Sequence, residues 1–404
     1  MGRIVFAAMV IGGLVLSSIC FGYSGGSGTA EDPYQIADAN DLLVLAADTS
    51  NYDKCFILTA DIDMKGQVFT RAIIAADTNS SRWGFQGTDF TGIFDGNGLK
   101  ITNFTINGGS NDCLGLFGQI NSVGSVKNLG LENYSVSGDS YAGSLVGFNY
   151  GSISNCYSTG AVSGSTDVGG MVGLNYGSIS NCYSMGTVSG WAYVGGLLGE
   201  NRGSISNCYS TGAVYGTSGA STYVGGLVGL NYSGSISNCY STGAVSGDFD
   251  VGGLAGDNWD TISNCYSTCT VSGYSGSYNV GGLVGQNFDS ISNCYSMGAV
   301  SGSSDVGGLV GLNYGSVFSS FWDKQTSGQT TSAGGTGKTT AEMKTLLTFT
   351  SAGWDFVDAW GIGNGQTYPY LKPFNGINPA DINYSGTVDF VDFAILAQHW
   401  LEGS

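Results

Sequence analysis

Between about residues 143 and 316 the chain repeats one pattern of hydrophobic and polar positions: a small-residue and apolar block, a polar turn, a short Ser-Ile-Ser piece, then Asn-Cys-Tyr-Ser. The last motif begins at Asn155, Asn181, Asn207, Asn238, Asn264 and Asn293, with spacings of 26, 26, 31, 26 and 29 residues. A Gly-Gly-Leu-Val-Gly-like block precedes each, as at Gly169 to Gly173 and Gly281 to Gly285, and a Thr-Gly-Ala-Val-Ser-Gly-like block follows. Self-similarity on this scale belongs to stacked units that bury a continuous core. No unit carries a sustained helical period; each is short β-favouring pieces broken by Gly and Asn. The pattern predicts an all-β parallel β-helix (β-solenoid) of about eight coils, with equivalent residues about 4.8 Å apart and a core roughly 40 Å long.

Degenerate units show which positions face inward. Val126 and Leu129 stand where Ile153 and Cys156 stand in the regular unit, and Ser319 and Ser320 replace Asn and Cys in the last one. A bend at Asn128 and its equivalents turns both neighbours inward, because Asn tolerates the left-handed backbone such a bend needs. The cysteine slot therefore reads as core. Alternation turns Tyr157, Tyr183, Tyr209, Tyr240, Tyr266 and Tyr295 outward as an aromatic ladder, able to meet sugar faces or to stack on itself and shield the sheet. Extra residues collect between the Val-Ser-Gly block and the next Val-Gly-Gly, as in Thr217 to Tyr223 and Tyr274 to Asn279. Insertions gathered on one edge mark a binding face. Its expected ligand-binding residues are Trp191, Tyr193, Tyr223, Phe249, Tyr274 and Tyr278, beside Asp167, Asp250 and Asp305.

Around the repeat the chain divides into residues 1–22, a signal peptide; 23–142, an N-terminal cap and first coils; 143–322, the repeats; 323–376, a C-terminal cap; and 377–404, a tail. Arg3, the apolar run Ile4 to Leu16 and small residues up to Gly22 have the layout of a secretory signal, with cleavage expected after Gly22. A lipoprotein reading of Cys20 is disfavoured by Ile19, since that processing takes a small residue before the cysteine. No other stretch is long and apolar enough to span a membrane. A helix near Asp41 to Ala47 is expected over the first coil, and Thr339 with Glu342 makes a capping box for a helix through Leu347. Both ends of the sheet stack are then covered.

Charge narrows the partners. Thirty acidic residues against 12 basic give a net charge of -18, and Arg202 is the only cation between Lys127 and Lys324. Nucleic acid and polyanionic ligands are excluded as natural partners.

The blocks Val168-Gly-Gly-Met-Val-Gly-Leu-Asn175 and Gly177-Ser-Ile-Ser-Asn-Cys-Tyr-Ser184 resemble the GLUG-motif repeats of bacterial surface proteins. The flanks resemble them too: Asp32-Pro-Tyr-Gln-Ile36, Phe94-Asp-Gly-Asn-Gly98, Gly337-Lys-Thr-Thr-Ala-Glu-Met343 and Gly353-Trp-Asp-Phe356, so the resemblance runs from residue 28 to 374. Such repeats occur in adhesins and beside the catalytic domains of immunoglobulin-cleaving metallopeptidases, without being catalysts themselves. The resemblance implies display or binding. The tail from Asp381 to Glu402 resembles half of a type I dockerin. Asp381, Asn383, Ser385, Asp389 and Asp392 fall at positions 1, 3, 5, 9 and 12 of a calcium loop, Gly386 supplies the turn, and the Thr387 carbonyl serves position 7. Ser385 replaces the usual Asp, and there is one loop where a dockerin has two. Calcium is the expected cofactor, and a protein receptor for the tail follows from the same resemblance.

Enzymatic readings find little support. The single histidine, His399, rules out zincin and serine-triad chemistry. Gly337-Lys338-Thr339 lacks the first glycine and the preceding strand of a phosphate loop. Asp260 and Asp289 share one slot on adjacent coils and imitate a retaining-glycosidase pair, yet both sit at glycine-equivalent turns without a basic partner. The six repeat cysteines have the wrong spacing for zinc; a buried thiol ladder, with one or two bridges allowed by export, accounts for them better. The sequence thus presents a non-catalytic secreted or cell-surface protein, adhesin-like or binding a polysaccharide or host-cell glycan. Two alternatives stand beside it: a purely structural envelope or matrix component, and a polysaccharide-degrading β-helix enzyme using Asp260 and Asp289.

Overall fold

The repeat winds into coils because each unit supplies three short strands and the turns between them. A computed structural model describes residues 22–372 apart from 83, 218, 220 and 221. The predicted signal and the calcium tail, with Asp381, Asn383, Ser385, Thr387, Asp389 and Asp392, lie outside the described residues. The architecture is the predicted parallel β-solenoid of about eight coils.

One sheet of 11 strands stacks the Ser-Ile-Ser pieces, from Tyr34–Ile36 to Ser316–Phe318. A second, of eight strands, runs from Phe117–Ile120 to Val310–Asn313, and a third holds the segments that follow the cysteines. Coils pair in parallel and in register: Ile153 with Ile179, Asn149 with Asn175, Tyr157 with Tyr183.

The bend at the repeat asparagine forms as expected. Asn128, Asn155, Asn181, Asn207, Asn238, Asn264 and Asn293 all have φ between 50° and 56°. With that turn, Ile153 and Cys156 both point inward and are buried. The cysteines form a column in which the Cys156 amide donates to Cys182 Sγ at 3.4 Å, while each thiol donates to the carbonyl two residues earlier, at 3.2 Å for Cys156 and Ser154. Leu129 occupies the same slot, and Ser320 continues the column by accepting from the Cys294 amide at 3.1 Å. The nine described cysteines are all free thiols, so the bridges considered above do not form among them. Each repeat sulfur is already engaged by backbone, and burial pushes the thiols of Cys156, Cys182, Cys208, Cys239 and Cys265 well up from their ordinary value.

A second column fixes the register. Asn149, Asn175, Asn201, Asn231, Asn258, Asn287 and Asn313 link amide to amide at 2.7–2.9 Å. Asn149 Oδ1 also accepts from the Gly151 amide and its Nδ2 donates to the Gly151 carbonyl, closing the turn. A buried amide with its donors and acceptors used holds the coils at one alignment, since a slip by one residue leaves the whole row unsatisfied. Glycine is required at the bend leading into this strand: a Cβ on Gly196 would stand 2.2 Å from both the Gly226 carbonyl oxygen and Ser210 Oγ.

Two predicted details differ. The segment Tyr274 to Asn279 is not a loop but part of a continuous strand, Thr270–Gly281, whose extra residues bulge between Gly273 and Tyr278 where they pair with Gly247 and Phe249. The C-terminal helix through Leu347 is broken in two. Helix α1 (Ala39–Ala47) covers the first coil with Leu42 and Leu45 fully buried, and α2 (Lys324–Ser327) starts the far cap. Then α3 (Thr340–Met343) opens with the predicted capping box, stops at Lys344, and α4 (Leu346–Thr350) follows. The break lets Met343 and Phe349 both enter the cap's own core with Trp354, Trp360, Phe321 and Tyr295. Among the described residues, no helix is long and apolar enough to cross a membrane.

Candidate functional site

Two aromatic rows run along the solenoid. The predicted one, Tyr157 to Tyr295, stacks at centroid spacings of 5.3, 4.7, 4.8, 4.9 and 5.1 Å with planes within 10° of parallel. Its faces are consumed by its own members. Its lower end is tied down where the Tyr157 hydroxyl donates to Glu132, which pairs with Lys100. Its upper end disappears under the cap, where Tyr295 donates to the Pro369 carbonyl at 2.6 Å.

The second row was not singled out from sequence. It follows the buried asparagines: Tyr150, Tyr176, Arg202, Tyr232, Trp259, Phe288 and Tyr314. Tyr150 and Tyr176 stack at 4.8 Å, Trp259 and Phe288 at 4.0 Å, and Phe288 and Tyr314 at 5.2 Å. Arg202 takes the place of a ring, its guanidinium 4.5 Å from the Tyr232 centroid and 5.5 Å from that of Tyr176. Tyr150, Tyr176, Tyr232, Trp259 and Tyr314 are all exposed, Tyr314 most at 66%. The recurrent Asn-aromatic dipeptide was the available signal.

Beside this row lies a seam of buried acids. Asp167 meets Glu200 of the next coil, and Arg202 Nε donates to Glu200 Oε1. Burial first, then the charge of Glu200, drives the Asp167 carboxyl well above the usual carboxylate range. Asp250 accepts from Asn279 at 2.7 Å and is pushed up to about 6 by burial. Asp257 accepts from the Trp259 indole at 2.7 Å, and burial, with the nearby charge of Asp250, pushes it up to about 7. Asp167 Oδ1 and Asp257 Oδ1 are buried without a hydrogen-bond partner.

The six residues expected to bind ligand fall into separate groups. Tyr193 and Tyr223 stack at 5.2 Å in the left-handed slot that also holds Asp167 and Asp250, so they belong to the seam. Phe249 and Tyr278 stack at 4.3 Å one residue earlier in their coils. Trp191 is half-exposed. The Tyr274 hydroxyl reaches the Gly216 carbonyl and Ser246, tying coils together. Asp260 and Asp289 stand on adjacent coils immediately after Trp259 and Phe288; Asp260 Oδ1 accepts from the following Thr261 amide, and Asp289 is exposed. Among the described residues, no group of three or more His, Cys, Asp or Glu is arranged to hold a metal.

The fold and its registers define a parallel β-solenoid repeat protein. Four stretches of the repeat region, residues 138–163, 192–215, 220–246 and 276–301, match the GLUG motif model. The chain is 37% identical over 140 residues to halomucin of Haloquadratum walsbyi, covering 33% of this chain and 1% of that protein. It is 35% identical over 142 residues to a protein of Evansella cellulosilytica described provisionally as a Gly-rich membrane protein, covering 33% of this chain and 15% of that one. The chain thus spans a small part of these curated relatives. Among solved structures it is similar to a protein of Bacteroides ovatus provisionally described as an immunoglobulin A1 protease, with a TM-score of 0.50, 24% identity, and coverage of 87% of this chain and 96% of that one. That likeness concerns the fold.

Proposed function

We propose that this chain is a non-catalytic, exported β-solenoid displayed at the cell surface or secreted, adhesin-like, and that it binds glycan along its exposed aromatic row. The observation that carries this reading is the row itself. Five large apolar side chains lie exposed in one line on a repeat scaffold, whereas aromatic side chains on a monomer are ordinarily scattered or buried. The repeat relatives, one of them described as a membrane protein, support a surface location.

Residues 377–404 complete the reading as a calcium-stabilised docking or anchoring module, with Asp381, Asn383, Ser385, Thr387, Asp389 and Asp392 as ligands and a protein receptor as partner. The test is calorimetry on the full chain. Binding to at least one member of a polysaccharide panel, lost in Tyr232→Ala/Trp259→Ala, supports the glycan reading; no binding across the panel contradicts it. Calcium uptake abolished by Asp381→Ala/Asp392→Ala supports the tail assignment, and unchanged uptake removes it.

A further inference from the structure

The exposed row is not uniformly aromatic in its surroundings. Toward its C-terminal end the flanks become acidic: Asp260 follows Trp259, Asp289 follows Phe288, and Asp257 is held beneath by the Trp259 indole at 2.7 Å. Asp257 is 2% exposed and keeps one carboxyl oxygen without any hydrogen-bond partner. A buried carboxylate oxygen left unpartnered costs free energy that an approaching cation would recover. The row already accepts one cation, since the Arg202 guanidinium sits over Tyr232 as a rung. No other basic residue occurs between Lys127 and Lys324, so any further positive charge must come from outside the repeats.

Rung spacing limits what shape the cation-bearing ligand has. An extended polypeptide presents side chains to one face about every 6.8 Å, twice the strand rise, and drifts out of step with rungs stacked at the inter-strand distance of about 4.8 Å. A β-(1→4)-linked hexose chain rises per sugar by nearly one rung and, because successive sugars are flipped, brings an amine to the same edge at about every second rung. Because the ring faces are largely occupied by their neighbours, such a ligand meets ring edges, phenol hydroxyls and the flanking carboxylates rather than open π faces.

We propose that the C-terminal half of the exposed row, with Tyr232, Trp259 and Tyr314 flanked by Asp260, Asp289 and Asp257, binds an extended β-linked amino-sugar polymer through its protonated amines. The polymer runs along the solenoid axis. This rests on the glycan-binding reading above and assigns its ligand a charge and a direction.

The experiment is calorimetric titration of the full chain with a β-(1→4)-linked glucosamine hexamer and its fully N-acetylated counterpart, in low-salt buffer where the amines are protonated. The free-amine hexamer is expected to bind at least about tenfold more tightly, with an advantage that shrinks as salt is added. Asp260→Asn/Asp289→Asn should remove most of that advantage while leaving the melting temperature close to that of the parent. Equal binding of the two hexamers overturns the amine assignment and leaves the glycan reading standing. Binding of neither, with another polysaccharide bound, overturns the ligand class alone; binding of polylysine in place of either hexamer assigns the face to a basic polypeptide. Variants that bind like the parent place the site elsewhere and overturn the proposal.

Discussion

The two aromatic rows are built on the same lattice and have opposite fates. Tyr157 to Tyr295 and Tyr150 to Tyr314 both repeat once per coil, the first with near-parallel rings and the second with rings tilted by up to 37° and Arg202 as one rung. The first follows the cysteine on a sheet, is half-buried between its neighbours and ends beneath Trp354 and Trp360. The second follows the buried asparagine at a turn, and no cap element covers Tyr314. Stacking alone therefore does not make a binding surface. Position relative to the turn and the cap decides which row holds the fold and which remains available to a partner.

The sharpest way to break this distinction is to shorten the top ring of each row. Tyr295→Ala empties the cap core and should cost about 3–5 kcal/mol, whereas Tyr314→Ala should stay within about 0.5 kcal/mol. Urea melts of both variants check this, and similar losses would mean that the rows are not different.

The acid seam gives the next largest effect. Asp250 and Asp257 have folded-state values of about 6 and about 7, above the usual carboxylate value of 3.8, so the folded chain binds these protons more tightly than the unfolded one. Their favourable state is complete below about pH 4 and is lost as pH rises through those two values, a change on the order of 3–4 kcal/mol for each carboxyl. The chain should melt at a higher temperature near pH 5 than near pH 8, and Asp250→Asn/Asp257→Asn should flatten that slope. An unaltered slope in the double variant would remove the seam as its source.

Breaking the amide column is expected to be smaller. Asn201→Ala leaves the Asn175 donor and the Asn231 acceptor without their partner and should cost about 1–3 kcal/mol. Hydrogen exchange should show the loss spreading to the coils on either side, and protection lost at Asn201 alone would argue against a shared ladder.

Much of the scaffold could be read from the chain, because substitution within a repeat is informative. Leu129 and Ser320 in the cysteine slot already marked it as interior, and Asn128 marked the bend. The exposed row was less visible because its slot admits Tyr, Arg, Trp and Phe, so no single letter repeats. The acid seam was hidden for a geometric reason. Asp167 and Glu200 are 33 residues apart, more than one period, and meet only because the left-handed slot of one coil lies against the second sheet of the next. The split of the C-terminal helix likewise depends on a core that exists only once Met343, Phe349 and Trp360 have been folded together.

The most direct test of the account is a side-by-side comparison of the rows for polysaccharide binding and melting temperature. With Tyr232→Ala/Tyr314→Ala, binding should fall by at least about tenfold with the melting temperature nearly unchanged; with Tyr183→Ala/Tyr209→Ala, the melting temperature should drop while the surviving folded protein still binds. Retained binding in the first variant, or binding lost in the second while it remains folded, would contradict the assignment of the exposed row as the binding face.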